Sequence, residues 1–140
     1  MANIVPDSFK QELFLATHNF NTTSGNTFKL ALYTTVSGFS TGTTNYITTN
    51  EASGTGYSAG GTTLVNSTVT VAQNISFVSF NNVTFSTATL TASCCLIYNS
   101  TQSNKAVVVL DFGGSKTSTN GDFTIQFPTA NSTSAVLRIS

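Results

Sequence analysis

The sequence predicts an all-β protein: a β-sandwich or jelly-roll-like barrel of about seven to eight strands, preceded by one N-terminal helix. Apolar residues alternate with polar ones in many short runs, a pattern typical of half-buried strands. Ser, Thr and Asn make up about 40% of the 140 residues, and Thr favours pleated strands. Helical patterns do not recur between the strands, so a parallel α/β sheet is not expected. The length predicts one domain, organised as a helical segment (residues 1–24) and a β-domain (residues 25–140).

The N-terminal helix is predicted from residue 6 to about residue 17. Pro6 and Asp7 suit the first turn of a helix, and Ser8 with Gln11 has the spacing of a capping box. One apolar stripe follows a period of 3.6 residues: Phe9, Leu13, Ala16 and Phe20. The stripe either covers the end of the protein's own sheet or docks on a neighbouring subunit.

The strands are predicted at short intervals after Gly25. Their expected ranges are 28–35, 63–71, 75–80, 83–85, 87–98, 105–112, 123–127 and 135–139. The apolar runs before residue 99 and after residue 105 predict a hairpin whose strands are buried on both faces. Residues 36–61 and the glycine-containing stretch 113–121 are predicted to be loops, and so long a connection as 36–61 is usually functional or mobile.

The two cysteines, Cys94 and Cys95, are adjacent in the sequence. Neighbouring side chains of a strand point to opposite faces, so we expect one cysteine in the core and one on the other face, without a disulfide between them. The absence of a disulfide framework and of a leader pattern favours synthesis in a reducing compartment.

The charge balance excludes two classes of partner. Five basic and five acidic residues give a formal net charge of zero, which leaves no basic patch for nucleic acid. No apolar run approaches the length that spans a bilayer, so we expect no membrane partner. A neutral, hydroxyl-rich surface favours association with other proteins.

Residues for catalysis or metal binding are few, and we predict no enzyme activity, no cofactor and no metal site. His18 is the only histidine, and we interpret it as a helix-end cation or hydrogen-bond donor. Glu51 is interpreted as a solvated loop acid or an ion-pair partner. Asp111 and Asp122 lack the spacing of a calcium loop.

The candidate interface residues lie in the helical segment and in the long loop. They are Phe9, Leu13, Phe14 and Phe20 in the former, and Phe39, Tyr46, Ile47, Glu51 and Tyr57 in the latter. Aromatic side chains on a glycine-rich loop are typical of binding loops. The alternative is that Tyr46 and Tyr57 fold under the loop and order it.

Several stretches resemble small virion proteins of tailed bacteriophages, of the capsid cement or head-decoration kind. They are VPDSFKQEL (5–13), THNF (17–20), TFKLALYTT (27–35), TTNEASGTGY (48–57) with residues 59–61, LIYN (96–99), KAVVVLDFG (105–113) and FTIQFP (123–128), together with residues 138–139. The adjacent cysteines depart from the pattern, since small or apolar residues other than cysteine are expected there. None of these stretches is a catalytic signature.

The resemblance implies a non-enzymatic structural protein made in the host bacterial cytoplasm and located on the capsid surface of the virion. Its partners would be the major capsid protein and further copies of itself, with a trimer favoured. It would cement neighbouring capsid subunits. Two alternatives stay open: a neck, tail or fibre-base component, and a β-sandwich that binds a glycan or receptor through the aromatic residues of the 36–61 loop.

Overall fold

A computed structural model describes residues 3–65 and 67–140, so the parts of the predicted segments 1–24 and 63–71 that fall on Met1, Ala2 and Asn66 lie outside it. Within these residues the chain forms one helix and seven strands, which pack as a sandwich of two antiparallel sheets. This confirms the all-β prediction. The elements are α1 (Asp7–Phe14), β1 (Phe28–Tyr33), β2 (Thr62–Thr63), β3 (Thr68–Ala72), β4 (Ile75–Ser79), β5 (Val83–Asn99), β6 (Lys105–Ile125) and β7 (Leu137–Ile139).

The larger sheet has the strand order β2-β1-β5-β6 and is built around the predicted hairpin. Three predictions were wrong here. Strands 83–85 and 87–98 form the single strand β5, and the expected loop 113–121 lies within β6. The predicted strand 63–71 is replaced by β2 in this sheet and β3 in the smaller sheet. Residues 112–115 of β6 stand opposite Ser93 alone, between the pairs Ala92–Lys116 and Cys94–Asp111. The glycines of this stretch therefore form a bulge, after which pairing resumes.

The smaller sheet has the order β3-β4-β7. Gln73 and Asn74 join β3 to β4, and both have positive φ angles, as a two-residue type I′ hairpin turn requires. The last strand is shorter than the predicted 135–139, because only Leu137–Ile139 pairs with β4.

The larger sheet is buried on both faces where β1 pairs with β5 of the hairpin. One face contributes Leu30, Leu32 and Cys95 to the main core. The other contributes Tyr33 and Cys94, among others, to a second cluster under the 36–61 loop. The prediction for the cysteines is confirmed: both thiols are free and they point into different clusters. Burial, with a smaller effect of Asp111, raises the pKa of the Cys94 thiol to about 12.

Helix α1 is shorter than predicted, and the expected capping box does not form. The Ser8 hydroxyl donates to the Thr43 carbonyl instead of capping the helix. Ala16 has a left-handed φ of 56°, a conformation that ends a helix. The chain then turns inward, so Phe20 reaches the core from outside the helix, beside Phe9 of α1.

Candidate functional site

An apolar groove separates α1 and the segment after it from the smaller sheet, and we call it the α1 groove. Its volume is about 1470 Å³. Phe9 and Phe20, which are both buried, lie at its base. Its sides include Leu13 and Phe14 from the helix, and Val69, Val78, Leu137 and Ile139 from the sheet.

The exposed large apolar side chains are concentrated at this groove. Phe14 is 94% exposed and Leu15, next to it, is 68% exposed. Six such residues occur in the described part of the chain, and three of them line the groove: Phe14, Val69 and Ile139. Apolar surface gathered around a concavity is typical of an interaction site, whereas scattered apolar residues are ordinary.

The apolar face of the smaller sheet follows from its register. Val69 lies opposite Val78 on β4, and Val78 lies opposite Leu137 on β7. Opposing residues of antiparallel strands share a face. Val78 and Leu137 pack against the core, while Val69 and, two residues on, Val71 stay exposed. The face is therefore buried at its centre and open along β3.

A buried hydrogen-bond network holds α1 in place. The Nε2 atom of His18 lies 2.7 Å from Oε2 of Glu12, and Nζ of Lys105 donates to Oε1 of Glu12 at 2.9 Å. The amide nitrogen of Asn99 lies 3.0 Å from Nδ1 of His18. Burial acts to raise the pKa of the Glu12 carboxyl, but the hydrogen bonds from His18 and Lys105 outweigh it and the pKa is lowered. The network links the helix to both strands of the long hairpin.

The network also sets the tautomer of His18. The side-chain oxygen of Asn99 accepts the backbone N–H groups of Thr101 and Gln102, so its NH₂ group must face His18. Nδ1 of His18 then accepts, and Nε2–H donates to Glu12. The imidazole side chain is fully buried and lies beyond the end of α1. Of the two alternatives, the helix-end cation was therefore wrong and the hydrogen-bond donor is confirmed.

The 36–61 loop is ordered by Glu51, which accepts three hydrogen bonds. The hydroxyl groups of Tyr46 and Tyr57 donate to it at 2.6 and 2.7 Å, and the backbone N–H of Gly60 donates at 2.6 Å. Burial, and then the hydrogen bond to Glu51, raise the pKa of both tyrosines. Glu51 is thus an internal acceptor, and the interpretation as a solvated or ion-paired loop acid was wrong, because the loop folds back over it.

The remaining loop candidates also face inward. Phe39 is buried, with its ring edge-on to Tyr33 at 4.8 Å. Ile47 is half-buried, and its carbonyl accepts the Tyr33 hydroxyl at 2.6 Å. Tyr46 stacks on Tyr98. The structure therefore places Phe39, Tyr46, Ile47, Glu51 and Tyr57 together beneath the loop, and Leu13 and Phe14 at the α1 groove, with Phe9 and Phe20 at the base of that groove.

Sequence reasoning missed the exposed residues on the sheet side of the groove, namely Val69 and Ile139. The alternation of Thr and Val in β3 was a usable signal for a strand. It does not say whether the valine face is covered, because that depends on how far the neighbouring layer extends.

Residues 3–65 and 67–140 contain no group of three or more His, Cys, Asp or Glu side chains placed to hold a metal ion. The one helix that they form is too short to cross a membrane. Comparisons of the chain with protein-family models, with curated proteins and with solved structures found no match.

Proposed function

We propose that this chain is a non-enzymatic structural protein of a tailed-phage virion that binds the outside of the capsid and cements neighbouring major capsid subunits. The observation that carries the binding role is the α1 groove, with its rim of exposed apolar residues, namely Phe14, Val69 and Ile139. An exposed phenylalanine beside a concave apolar surface is suited to insertion into, or reception of, a partner's side chains.

The capsid setting draws its support from the resemblance of the sequence to phage decoration proteins and from the charge balance. The chain has a formal net charge of zero and only 7% charged residues, so its contacts rest on apolar and hydrogen-bonding groups that salt screens little. Such contacts suit a protein that stays bound to a particle over a wide range of ionic strength.

Cementing follows from mass action. A protein that binds the assembled shell better than free capsid subunits stabilises the shell, because dissociation of subunits must also release it. Many copies, each across a seam between subunits, add their contributions. Hydrogen bonds of Glu12 with His18 and Lys105 attach α1 to the rest of the domain. They fix the position of the exposed end of the helix, which is the part that would contact a capsid subunit.

The first test is quantitative mass spectrometry of purified phage particles, giving copies of this chain per major capsid subunit. We expect a ratio of one or a simple fraction of it. A few copies per particle would replace the proposal with a neck or tail component, and absence from the particle would overturn it.

The contact through the groove is tested in the same particles with the double variant Phe14→Ser and Ile139→Ser. Both side chains line the groove and are exposed, so the substitutions leave the fold intact while removing apolar contact area, and we expect at least a tenfold loss of particle-bound copies. Val65→Ser is the matched control, because Val65 is 53% exposed and does not line the groove. Equal occupancy for the two variants would show that the groove is not the contact.

A further inference from the structure

We propose that β3 pairs in antiparallel fashion with β3 of a second copy, joining the two smaller sheets into one six-stranded sheet. The inference rests on the proposed function and deepens it, by naming the contact through which copies of this chain associate. It is argued from the four sheet edges of the described chain.

Three of these edges carry features that prevent pairing with another chain. β2 has two residues, and β7 has three, including Arg138. β6 carries Lys116 and Asp122 and is interrupted by the bulge at 112–115. Short strands, charges and bulges are the usual protection of sheet edges.

The fourth edge, β3, has none of these features. Its five residues, Thr68–Ala72, pair with β4 without a break in register, and contain no charge, proline or glycine. Within residues 3–65 and 67–140 the outer side of β3 has no strand partner. Its backbone N–H and C=O groups on that side form a template on which another β-strand can pair.

The pattern of side chains selects the register of a self-pair. A two-fold axis at Thr70 places Val69 of one copy opposite Val71 of the other. Opposing residues share a face, so four valines meet on one face, the same face that continues into the α1 groove of each copy. A shift by one residue would place the valines opposite threonine or Ala72 and separate the apolar faces.

A second copy is the occupant that these observations favour. None of residues 52–104 is charged, so two copies meet at β3 without repulsion between like charges. A two-fold contact is isologous, which means that it uses the same surface of both copies. The β3 edges of the two copies are therefore both paired, and no β3 edge is left for a third copy. The result is a closed dimer, whereas the resemblance had suggested a trimer.

The test is the oligomeric state of the isolated full chain, which does not depend on any capsid and so separates this inference from the proposed function. Light scattering behind size exclusion is expected to give twice the chain mass of 14.7 kDa. Val71→Lys places a charge at the two-fold contact, and should weaken the dimer at least tenfold. Val71 is 69% exposed, so the fold tolerates the change, and Val65→Lys is the control.

A cross-link tests the register. Opposing residues have Cα atoms about 4.5–5.5 Å apart, within disulfide range, so Thr70→Cys should form an intermolecular disulfide on mild oxidation. Thr63→Cys, on the short edge strand β2, should not. A monomer at every concentration, a trimer, equal effects of the two lysine variants or equal cross-linking of the two cysteine variants would each overturn the inference.

Discussion

At the scale of single residues, Glu51 is the acceptor on which the order of the 36–61 loop depends. It is the only carboxylate in that segment. Its two oxygens accept the hydroxyl groups of Tyr46 and Tyr57 and the N–H of Gly60. Tyr57 in turn accepts the backbone N–H of Leu32 at 3.0 Å. One side chain thereby ties the loop to the central strand β1.

Glu51→Ala should lower the free energy of unfolding by about 2–3 kcal/mol, because it leaves three donors without an acceptor in a partly buried site. Glu51→Gln should cost only about 1 kcal/mol, since the amide oxygen still accepts from Tyr57 and Gly60, and the Tyr46 hydroxyl can rotate to accept. Urea unfolding midpoints measure both. Equal losses for the two variants would show that the negative charge, rather than the set of acceptors, is what the loop requires.

At the scale of elements, glycine has two different uses in this chain. Gly61 and Gly113 have nearly the same positive φ, 74° and 76°. A Cβ at Gly61 would lie 1.7 Å from the carbonyl oxygen of Leu30, while one at Gly113 would meet no atom within 4 Å. Gly61 therefore allows the loop to approach β1 closely, whereas Gly113 only allows the bulge to turn.

Gly113→Ala should cost about 1 kcal/mol, the strain of a left-handed alanine. Gly61→Ala adds a backbone clash to the same strain and should cost about 3 kcal/mol or more, by pushing β2 away from β1. Because the φ angles of Gly61 and Gly113 match, the two alanine variants carry the same backbone strain. The difference between their losses of stability therefore measures the steric clash at Gly61. Thermal unfolding of both variants measures the difference, and similar melting temperatures would contradict the close approach at Gly61.

At the scale of the whole molecule, few charges mean few groups through which pH acts on stability. The buried carboxylate is Glu12, whose pKa lies below its usual 4.5. A lowered pKa contributes stability that is present above pH 4.5 and lost as the pH falls through the folded value. The thiols of Cys94 and Cys95 and the hydroxyl groups of tyrosines 33, 46, 57 and 98 have raised pKa values. Their contribution is present below the ordinary pKa values of 9.0 for cysteine and 10.0 for tyrosine, and is lost as the pH rises toward the folded values.

Stability should therefore be nearly constant from about pH 6 to about pH 8 and fall on either side. Glu12→Gln should remove much of the acidic fall, which for one group has a slope of at most about 1.4 kcal/mol per pH unit. Asp7→Asn is the control, because Asp7 forms an exposed pair with Lys10, and such pairs contribute little. Urea unfolding at a series of pH values measures all three proteins. An unchanged acidic fall in the Glu12 variant would show that Glu12 is not its cause.

How much of this structure could be predicted depends on whether local pattern or packing decides each element. The paired apolar runs of the hairpin predicted strands buried on both faces, because a covered sheet excludes polar side chains from both sides. The alternation of β1 predicted a strand with one apolar face, and only the tertiary structure covers its other face. The stretch 113–121 was predicted as a loop, because the signals of a glycine bulge and of a turn are the same until the partner strand is known.

The sequence by itself determined the all-β class, the N-terminal helix, the opposite faces of Cys94 and Cys95, and a surface poor in charge. These follow from periodicity and composition, which act on each stretch of chain locally. Tertiary structure alone decided that His18 and Glu51 are internal, that the loop aromatics face inward, and that the apolar residues of α1 and β3 stay uncovered. Whether a side chain is buried depends on which other layer packs against it. That layer is distant in sequence, so the pattern of a single strand or helix does not predict the burial.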